Sequence, residues 1–180
     1  MTTSGLILLT PTSIAYTGTS ATISANGSVS FSAVTALELR GVFSADYDNY
    51  TIVMWSSSTG SDIGVDAQLL SGTTPASGSN YTYQNLYANS TSIVAGRATT
   101  TSTRFAQTSS TQRSGTVGNL YGPFLAQPTA IRTLSISGLS NAFLQDNAST
   151  HSLSTSYDGM KFVPTSGSIS GRIAVYGMRK

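Results

Sequence analysis

Apolar and polar residues alternate with a period of two along most of this chain, which is the pattern of half-buried β-strands. Leu37 and Leu39, for example, alternate with Glu38 and Arg40. This pattern predicts about ten strand candidates, joined into an antiparallel β-sandwich. The other alternating sets are Val65, Ala67 and Leu69; Tyr81, Tyr83, Asn85 and Tyr87; Ile131, Thr133 and Ser135; Leu153, Thr155 and Tyr157; and Ile169, Gly171, Ile173, Val175 and Gly177.

One segment, 50–55, is apolar on both faces in its middle and predicts a central strand. Turn-forming residues separate the strand candidates, with a hairpin turn expected at 57–62 and a longer loop at 71–80. The segment 99–118 is polar and rich in Ser and Thr, so we expect an extended loop or arm there. No linker composition divides the chain, which predicts a single β-sandwich domain over 1–180.

The composition supports an all-β fold because helix-forming residues are scarce. Ser contributes 31 and Thr 26 of the 180 residues, whereas there is one Glu and there are two Lys. Charged residues make up 9%, against about 25% in an ordinary domain, and the net charge is +2. So few charged residues and so small a net charge argue against a protein that binds nucleic acid or a membrane surface. Cysteine is absent, which excludes disulfides and thiolate chemistry, and no basic-then-apolar leader pattern is visible.

The sequence offers no catalytic set, so we expect a protein that is not an enzyme and needs no cofactor. His151 is the one histidine, and its strand spacing places it with apolar neighbours rather than with a nucleophile. The closest carboxylates are Asp46 and Asp48, which suit a glycosidase pair or a calcium site less well than an ordinary turn before a strand. We therefore assign no catalytic, cofactor-binding or metal-ligating residue.

Two groups of residues are candidates for contacts. Tyr81, Tyr83 and Tyr87 share one face of a predicted strand, where they either stack against sugar rings or pack in the core or between subunits. The three arginines of the middle of the chain are equally consistent with subunit contacts and with solvated loop positions, since arginine is enriched at interfaces. These arginines are Arg97, Arg104 and Arg113.

Four segments together resemble small virion proteins of tailed bacteriophages, especially those of marine and cyanobacterial hosts. The first is 43–54, which combines an apolar residue, a short turn, the residues YDNY and a two-faced apolar strand. The segments 67–73 and 80–84 extend the likeness, and 171–177 ends in the apolar-Tyr-Gly unit found in the last strand of such proteins.

The resemblance implies a jelly-roll-like β-sandwich of about eight to ten strands that works by assembly on the virion. It implies a homo-oligomeric surface component, most often a trimer, that decorates the capsid or attaches to the tail beside other virion proteins. Hydroxyl-rich contacts suit such assembly, because each hydrogen bond between subunits contributes ~1 kcal/mol. The alternative is a glycan- or receptor-binding module at a tail-fibre tip, which requires the tyrosines or Trp55 to be exposed in a groove.

Overall fold

The computed structural model describes residues 5–89, 91–138 and 143–179, which form 14 β-strands and no helix. The strands are β1 (Leu6–Leu9), β2 (Ser13–Ile23), β3 (Val29–Arg40), β4 (Tyr47–Ser58), β5 (Ile63–Ser71), β6 (Thr74–Pro75), β7 (Tyr81–Asn89), β8 (Ser92–Thr100), β9 (Thr103–Thr108), β10 (Ser114–Tyr121), β11 (Thr129–Ser137), β12 (Phe143–His151), β13 (Gly159–Pro164) and β14 (Ile169–Arg179). The all-β antiparallel class predicted from the period-two alternation is confirmed.

All 14 strands belong to one antiparallel sheet, in the order β6-β5-β13-β3-β14-β4-β10-β11-β12-β7-β8. Strands β1, β2 and β9 lie off this path and pair with β14, β3 and β5, respectively. Strand β4 pairs with β14 on one side and β10 on the other, as expected for a central strand that is apolar on both faces. The turn at 57–62 does not close a hairpin, because β4 and β5 pair with other strands.

The sheet curls so that β9 lies across the inner face of β10, β11 and β12. The Gln107 N–H on β9 donates to Ser135 Oγ on β11 at 2.9 Å, and Asn147 Nδ2 on β12 donates to the Arg104 carbonyl at 3.1 Å. Phe105 of β9 lies directly over Gly118 of β10, where a Cβ atom would be 2.7 Å from the ring. Only glycine therefore allows the two strands to approach this closely.

The apolar core lies between β3, β4, β5, β9, β13 and β14. Phe105 packs edge to face against Phe162 of β13, with 5.0 Å between the ring centroids. Phe43 packs against Tyr50 at 4.6 Å, and the Tyr50 hydroxyl accepts a hydrogen bond from the Ser44 N–H. The fully buried aliphatic side chains of this core include Val34, Leu37, Leu39, Ile52, Val65 and Leu69.

From β10 to β12 the usual distribution of polar and apolar residues is reversed. On β11 the side chains of Thr133, Ser135 and Ser137 are buried, whereas Leu134 and Ile136 point outward into solvent. The same inversion continues on the neighbouring strands. Six outward-facing apolar residues form a continuous patch, the outer band, with exposed fractions between 42% and 57%: Val53, Leu86, Val117, Leu134, Ile136 and Leu144.

Besides the hairpin at 57–62, three expectations from the sequence need correction. The alternation of Leu153, Thr155 and Tyr157 predicts a strand, but these residues lie between β12 and β13. The sheet has 14 strands rather than eight to ten, because short strands and strands with hydroxyl residues on both faces carry no apolar alternation. The segment 99–118 is not a loop or arm but contains the end of β8, all of β9 and part of β10. Some of its hydroxyl groups are hydrogen-bonded inside the protein: Ser114 Oγ, for example, accepts a buried hydrogen bond from the Ser109 N–H at 2.9 Å. Thr108 Oγ1, by contrast, is buried without a hydrogen-bond partner among the described residues.

Candidate functional site

A cleft of about 480 Å³ lies on the inner face of the sheet, beside β9. It forms where inward-facing polar side chains of the sheet are no longer covered by β9. Strands β7 and β12 form its floor, and β5, β9 and the end of β8 supply its wall. Its volume lies in the range of small-molecule sites. The cleft is lined by Asp66, Tyr83, Asn85, Tyr87, Thr100, Ser102, Arg104, Gln107, Phe143 and Gln145.

Strand pairing explains why these side chains meet. Residues directly opposite each other in a sheet point to the same face. Asn85 lies opposite Asn147, and Tyr87 lies opposite Gln145. Tyr83 and Tyr87 flank Asn85 at period-two spacing, so all three side chains of β7 point towards the cleft.

The floor of the cleft combines aromatic rings with amide groups. Tyr87 and Phe143 stack with 5.4 Å between their centroids and an interplanar angle of 27°, and Tyr83 is half-buried beside them. The side-chain oxygens of Asn85 and Gln145 are buried, and neither accepts a hydrogen bond from another described residue. An unsatisfied buried acceptor is costly, so a bound molecule that reaches either oxygen after a rotation of its amide group would supply the missing hydrogen bond.

The wall contributes an ion pair. Arg104 Nε donates to Asp66 Oδ1 at 2.6 Å, and both side chains remain about one-third exposed at the cleft. The Arg104 guanidinium also reaches Gln107 Oε1 at 3.4 Å. Because the cation and the carboxylate neutralise each other, the lining of the cleft carries no net charge.

The three candidate tyrosines are not equivalent in the structure. Tyr81 is fully buried, and its hydroxyl oxygen accepts a hydrogen bond from the Leu69 N–H at 2.8 Å. Burial raises the pKa of the Tyr81 hydroxyl well above its usual value. Tyr81 therefore belongs to the core and is not accessible to a ligand, whereas Tyr83 and Tyr87 line the cleft.

The three candidate arginines lie apart from one another. Arg97 is exposed on β8, and Arg104 belongs to the cleft wall. Arg113 lies over the Trp55 ring, with its guanidinium carbon 4.1 Å from the ring centroid, which is a cation–π contact. Trp55 itself lines a second, apolar groove of about 510 Å³ on the outer face. A role of these arginines in subunit contacts stays a prediction.

The cleft does not assemble the groups that hydrolysis requires. Glycosidases need two carboxyl groups on either side of the bond they cut, and Asp66 is the only carboxylate in the cleft lining. His151 is outside the cleft, enclosed between Tyr81 and Tyr157. Within the described ranges, no group of three or more His, Cys, Asp or Glu side chains is arranged to hold a metal ion. The described part of the chain contains no helix long and apolar enough to cross a membrane.

The cleft residues that sequence reasoning missed are Asp66, Arg104 and Gln107 on the wall, and Phe143 and Gln145 on the floor. Arg104 was singled out, but as a subunit contact. The available signal on β12 was weak, because Gln145, Asn147 and Ser149 share one face while Leu144, Asp146 and Ala148 share the other. Polar residues on both faces do not reveal which face points inward.

No protein-family model and no curated protein matches this chain. Among solved structures, it is similar to domain 4 of an extracellular arabinanase from Geobacillus stearothermophilus in complex with arabinotriose. That match has 12% identity and a TM-score of 0.34, and it covers 92% of this chain and 82% of the other. A second similar structure contains the CBM22-1 and GH10 modules of a Clostridium thermocellum xylanase complexed with xylohexaose. It has 13% identity and a TM-score of 0.28, with 98% of this chain and 29% of that one covered. Scores this low support no conclusion about the function of this chain.

Proposed function

We propose that this chain is a non-enzymatic carbohydrate-binding module that holds an oligosaccharide in the inner cleft. The observation that carries the proposal is the combination of accessible aromatic rings with buried, unpartnered amide oxygens in one open cleft. The rings of Tyr83 and Tyr87 offer apolar faces to the C–H groups of a pyranose. The side-chain oxygens of Asn85 and Gln145 accept hydrogen bonds from sugar hydroxyls, which are donors.

The lack of net charge in the cleft favours a neutral sugar. Arg104 is engaged with Asp66 at 2.6 Å, so a ligand carboxylate would have to compete with Asp66 for the guanidinium. The hydroxyl groups of a neutral sugar do not have to displace Asp66 from Arg104. Neutral hexose or pentose oligosaccharides are therefore the expected ligands.

The experiment is a screen of neutral and acidic oligosaccharides by glycan array, followed by titration calorimetry with the best ligand. Gln145→Met keeps the volume of the side chain while removing the unpartnered oxygen. We expect it to weaken binding by about 10-fold, the value of one hydrogen bond of ~1.4 kcal/mol, without lowering the melting temperature. Tyr87→Ala should weaken binding at least as much.

Tyr121→Ala is the matched control, because Tyr121 is an exposed tyrosine on the outer face. It should bind the ligand as the unaltered chain does. A wild-type chain that retains no oligosaccharide would overturn the proposal, as would Gln145→Met and Tyr87→Ala variants that are folded and bind normally.

From the resemblance to phage virion proteins, we further propose that this module is a component of a phage particle. A glycan-binding cleft suits a component at the surface of a particle, such as a tail-fibre tip that contacts the host. Mass spectrometry of purified phage particles tests this placement. If this chain is absent from the particles, the placement is wrong and the cleft proposal is unaffected.

A further inference from the structure

A second depression adjoins the inner cleft on the surface of β5 and β13. This side cleft has a volume of about 360 Å³ and shares two lining residues, Asp66 and Ser102, with the inner cleft. We infer that the two clefts form one binding groove, so that this chain binds an extended neutral oligosaccharide more tightly than a disaccharide. The inference rests on the proposed function of the inner cleft. The side cleft is lined by Asp66, Gln68, Ser102, Val163, Pro164 and Thr165.

Strand pairing places Asp66 at the junction of the two clefts. Asp66 lies opposite Arg104 of β9 on one side and opposite Val163 of β13 on the other. Because paired residues point to the same face of a sheet, the wall of the inner cleft continues across β5 into the side cleft. Gln68 follows Asp66 at period-two spacing and therefore points to the same face. Each cleft alone has the size of a small-molecule site, so the joined groove accommodates a longer ligand than either.

The other shared residue, Ser102, lies in the turn between β8 and β9, and hydrogen bonds hold this turn from both clefts. Thr100 of the inner cleft donates from Oγ1 to the Ser102 carbonyl. Gln68 of the side cleft donates from Nε2 to the Thr101 carbonyl at 2.9 Å. The boundary between the clefts is therefore ordered before a ligand arrives, which reduces the free energy lost in ordering the site on binding.

The polar groups of the side cleft suit sugar hydroxyls. Asp66 accepts a hydrogen bond from Arg104 at Oδ1, and a carboxylate has further acceptor sites for hydroxyl donors. The Gln68 amide donates through its nitrogen and still has an oxygen that accepts hydrogen bonds. Val163 and Pro164 add apolar surface next to these groups, as the C–H faces of a sugar require.

The charges along the groove favour a neutral chain over its whole length. Asp66 is the one charged residue in the lining of the side cleft, and Arg104 balances it at 2.6 Å. The nearby Lys161, which lies opposite Gln68, is 3.3 Å from Glu38 Oε1. No unbalanced charge in the side cleft therefore selects an acidic sugar.

The test compares ligands of different length. The probes are the di-, tetra- and hexasaccharides of the neutral glycan with the strongest array signal, titrated into the full chain by calorimetry. We expect the hexasaccharide to bind at least about 10-fold more tightly than the disaccharide, as one additional hydrogen bond provides. In NMR spectra, the hexasaccharide should shift the amide signals of Gln68, Val163 and Thr165, and the disaccharide should not. These shifts distinguish occupation of the side cleft from the statistical gain of a longer chain.

Gln68→Met removes the amide group and keeps the length of the side chain. It should weaken binding of the hexasaccharide by about 10-fold and leave both the disaccharide affinity and the melting temperature unchanged. A variant that acted only by loosening the turn at Ser102 would weaken both ligands. Gln84→Met is the matched control, because Gln84 is an exposed glutamine on the outer face of β7. It should bind both ligands as the unaltered chain does.

Equal affinities for the disaccharide and the hexasaccharide overturn the inference and leave the proposed function of the inner cleft standing. A tighter hexasaccharide also overturns it if Gln68→Met binds that ligand normally, or if this variant weakens both ligands equally. If no chain length binds, the proposed function is itself wrong and the inference falls with it.

Discussion

The stability of this protein should fall as the pH drops from 7 to 5, and His151 is the reason. Its side chain ends β12 and is 0% exposed. Its ring is 4.5 Å from that of Tyr81 and 5.1 Å from that of Tyr157, centroid to centroid, and neither ring nitrogen has a hydrogen-bond partner among the described residues. Burial lowers the pKa of His151 below its usual value of 6.5, because a charged imidazolium has neither water nor an acceptor there.

The sign of the effect follows from proton linkage. The unfolded chain binds a proton at His151 as the pH falls through 6.5, whereas the folded chain resists it until its lower pKa is reached. The unfolded state therefore gains protons relative to the folded state, and the free energy of unfolding decreases in this interval. The slope approaches about 1.4 kcal/mol per pH unit, which is a large part of the stability of an ordinary domain.

The assay is urea unfolding at pH 7, 6 and 5, followed by the fluorescence of Trp55, the one tryptophan. The interval from pH 7 to pH 5 isolates the titration of His151, because His151 is the one histidine and carboxylates titrate mainly below this interval. The comparison variant is His151→Phe, which keeps a ring between the two tyrosines and removes both nitrogens. It should abolish the slope and leave the stability at pH 7 equal or higher. A wild-type stability that is level from pH 7 to 5, or an equal slope in the variant, would refute the reasoning.

Three further predictions concern the packing. Phe105→Ala should lower the free energy of unfolding by about 3–5 kcal/mol, because the ring fills the space between Gly118 and Phe162; a loss below about 1 kcal/mol in urea unfolding would contradict this. Gly118→Ala should also destabilise, since its Cβ would lie 2.7 Å from the Phe105 ring, and the double variant with Phe105→Leu should recover part of the loss in thermal unfolding. Tyr50→Phe should cost about 1–3 kcal/mol, because the Ser44 N–H loses its acceptor at 2.8 Å; an unchanged melting temperature would contradict the assignment.

The apolar strands were predictable from the sequence because burial on a sheet imposes a period of two. The segment 50–55 was identified as central, and β4 is paired on both sides. Strand β9 was not predictable, because Thr stands at buried positions where apolar residues usually mark a strand, and β8 has no buried face at all. Thr103 and Thr108 are fully buried in β9, which is the opposite of what their polarity suggests.

The candidate site was predictable only in the part that lies on one strand. Tyr83, Asn85 and Tyr87 were recognised as sharing a face from their spacing on what proved to be β7. The other half of the cleft comes from β12 and from the β5–β9 pair, which join it through long-range pairing. Register between distant strands is set by the whole fold, so no local pattern brings Gln145 or Asp66 to these residues. The burial of Tyr81 likewise depends on its contact with Leu69 of β5.

The hydroxyl-lined interior between β10 and β12 has a thermodynamic consequence. Unfolding exposes the buried polar groups there, and hydration of polar surface lowers the heat-capacity change, whereas hydration of apolar surface raises it. With apolar side chains already in water on the outer face, this half of the sheet contributes little positive heat capacity. The heat-capacity increment should therefore fall below the usual value of about 12–15 cal/mol/K per residue. Stability then varies only weakly with temperature, and cold denaturation is displaced to lower temperatures.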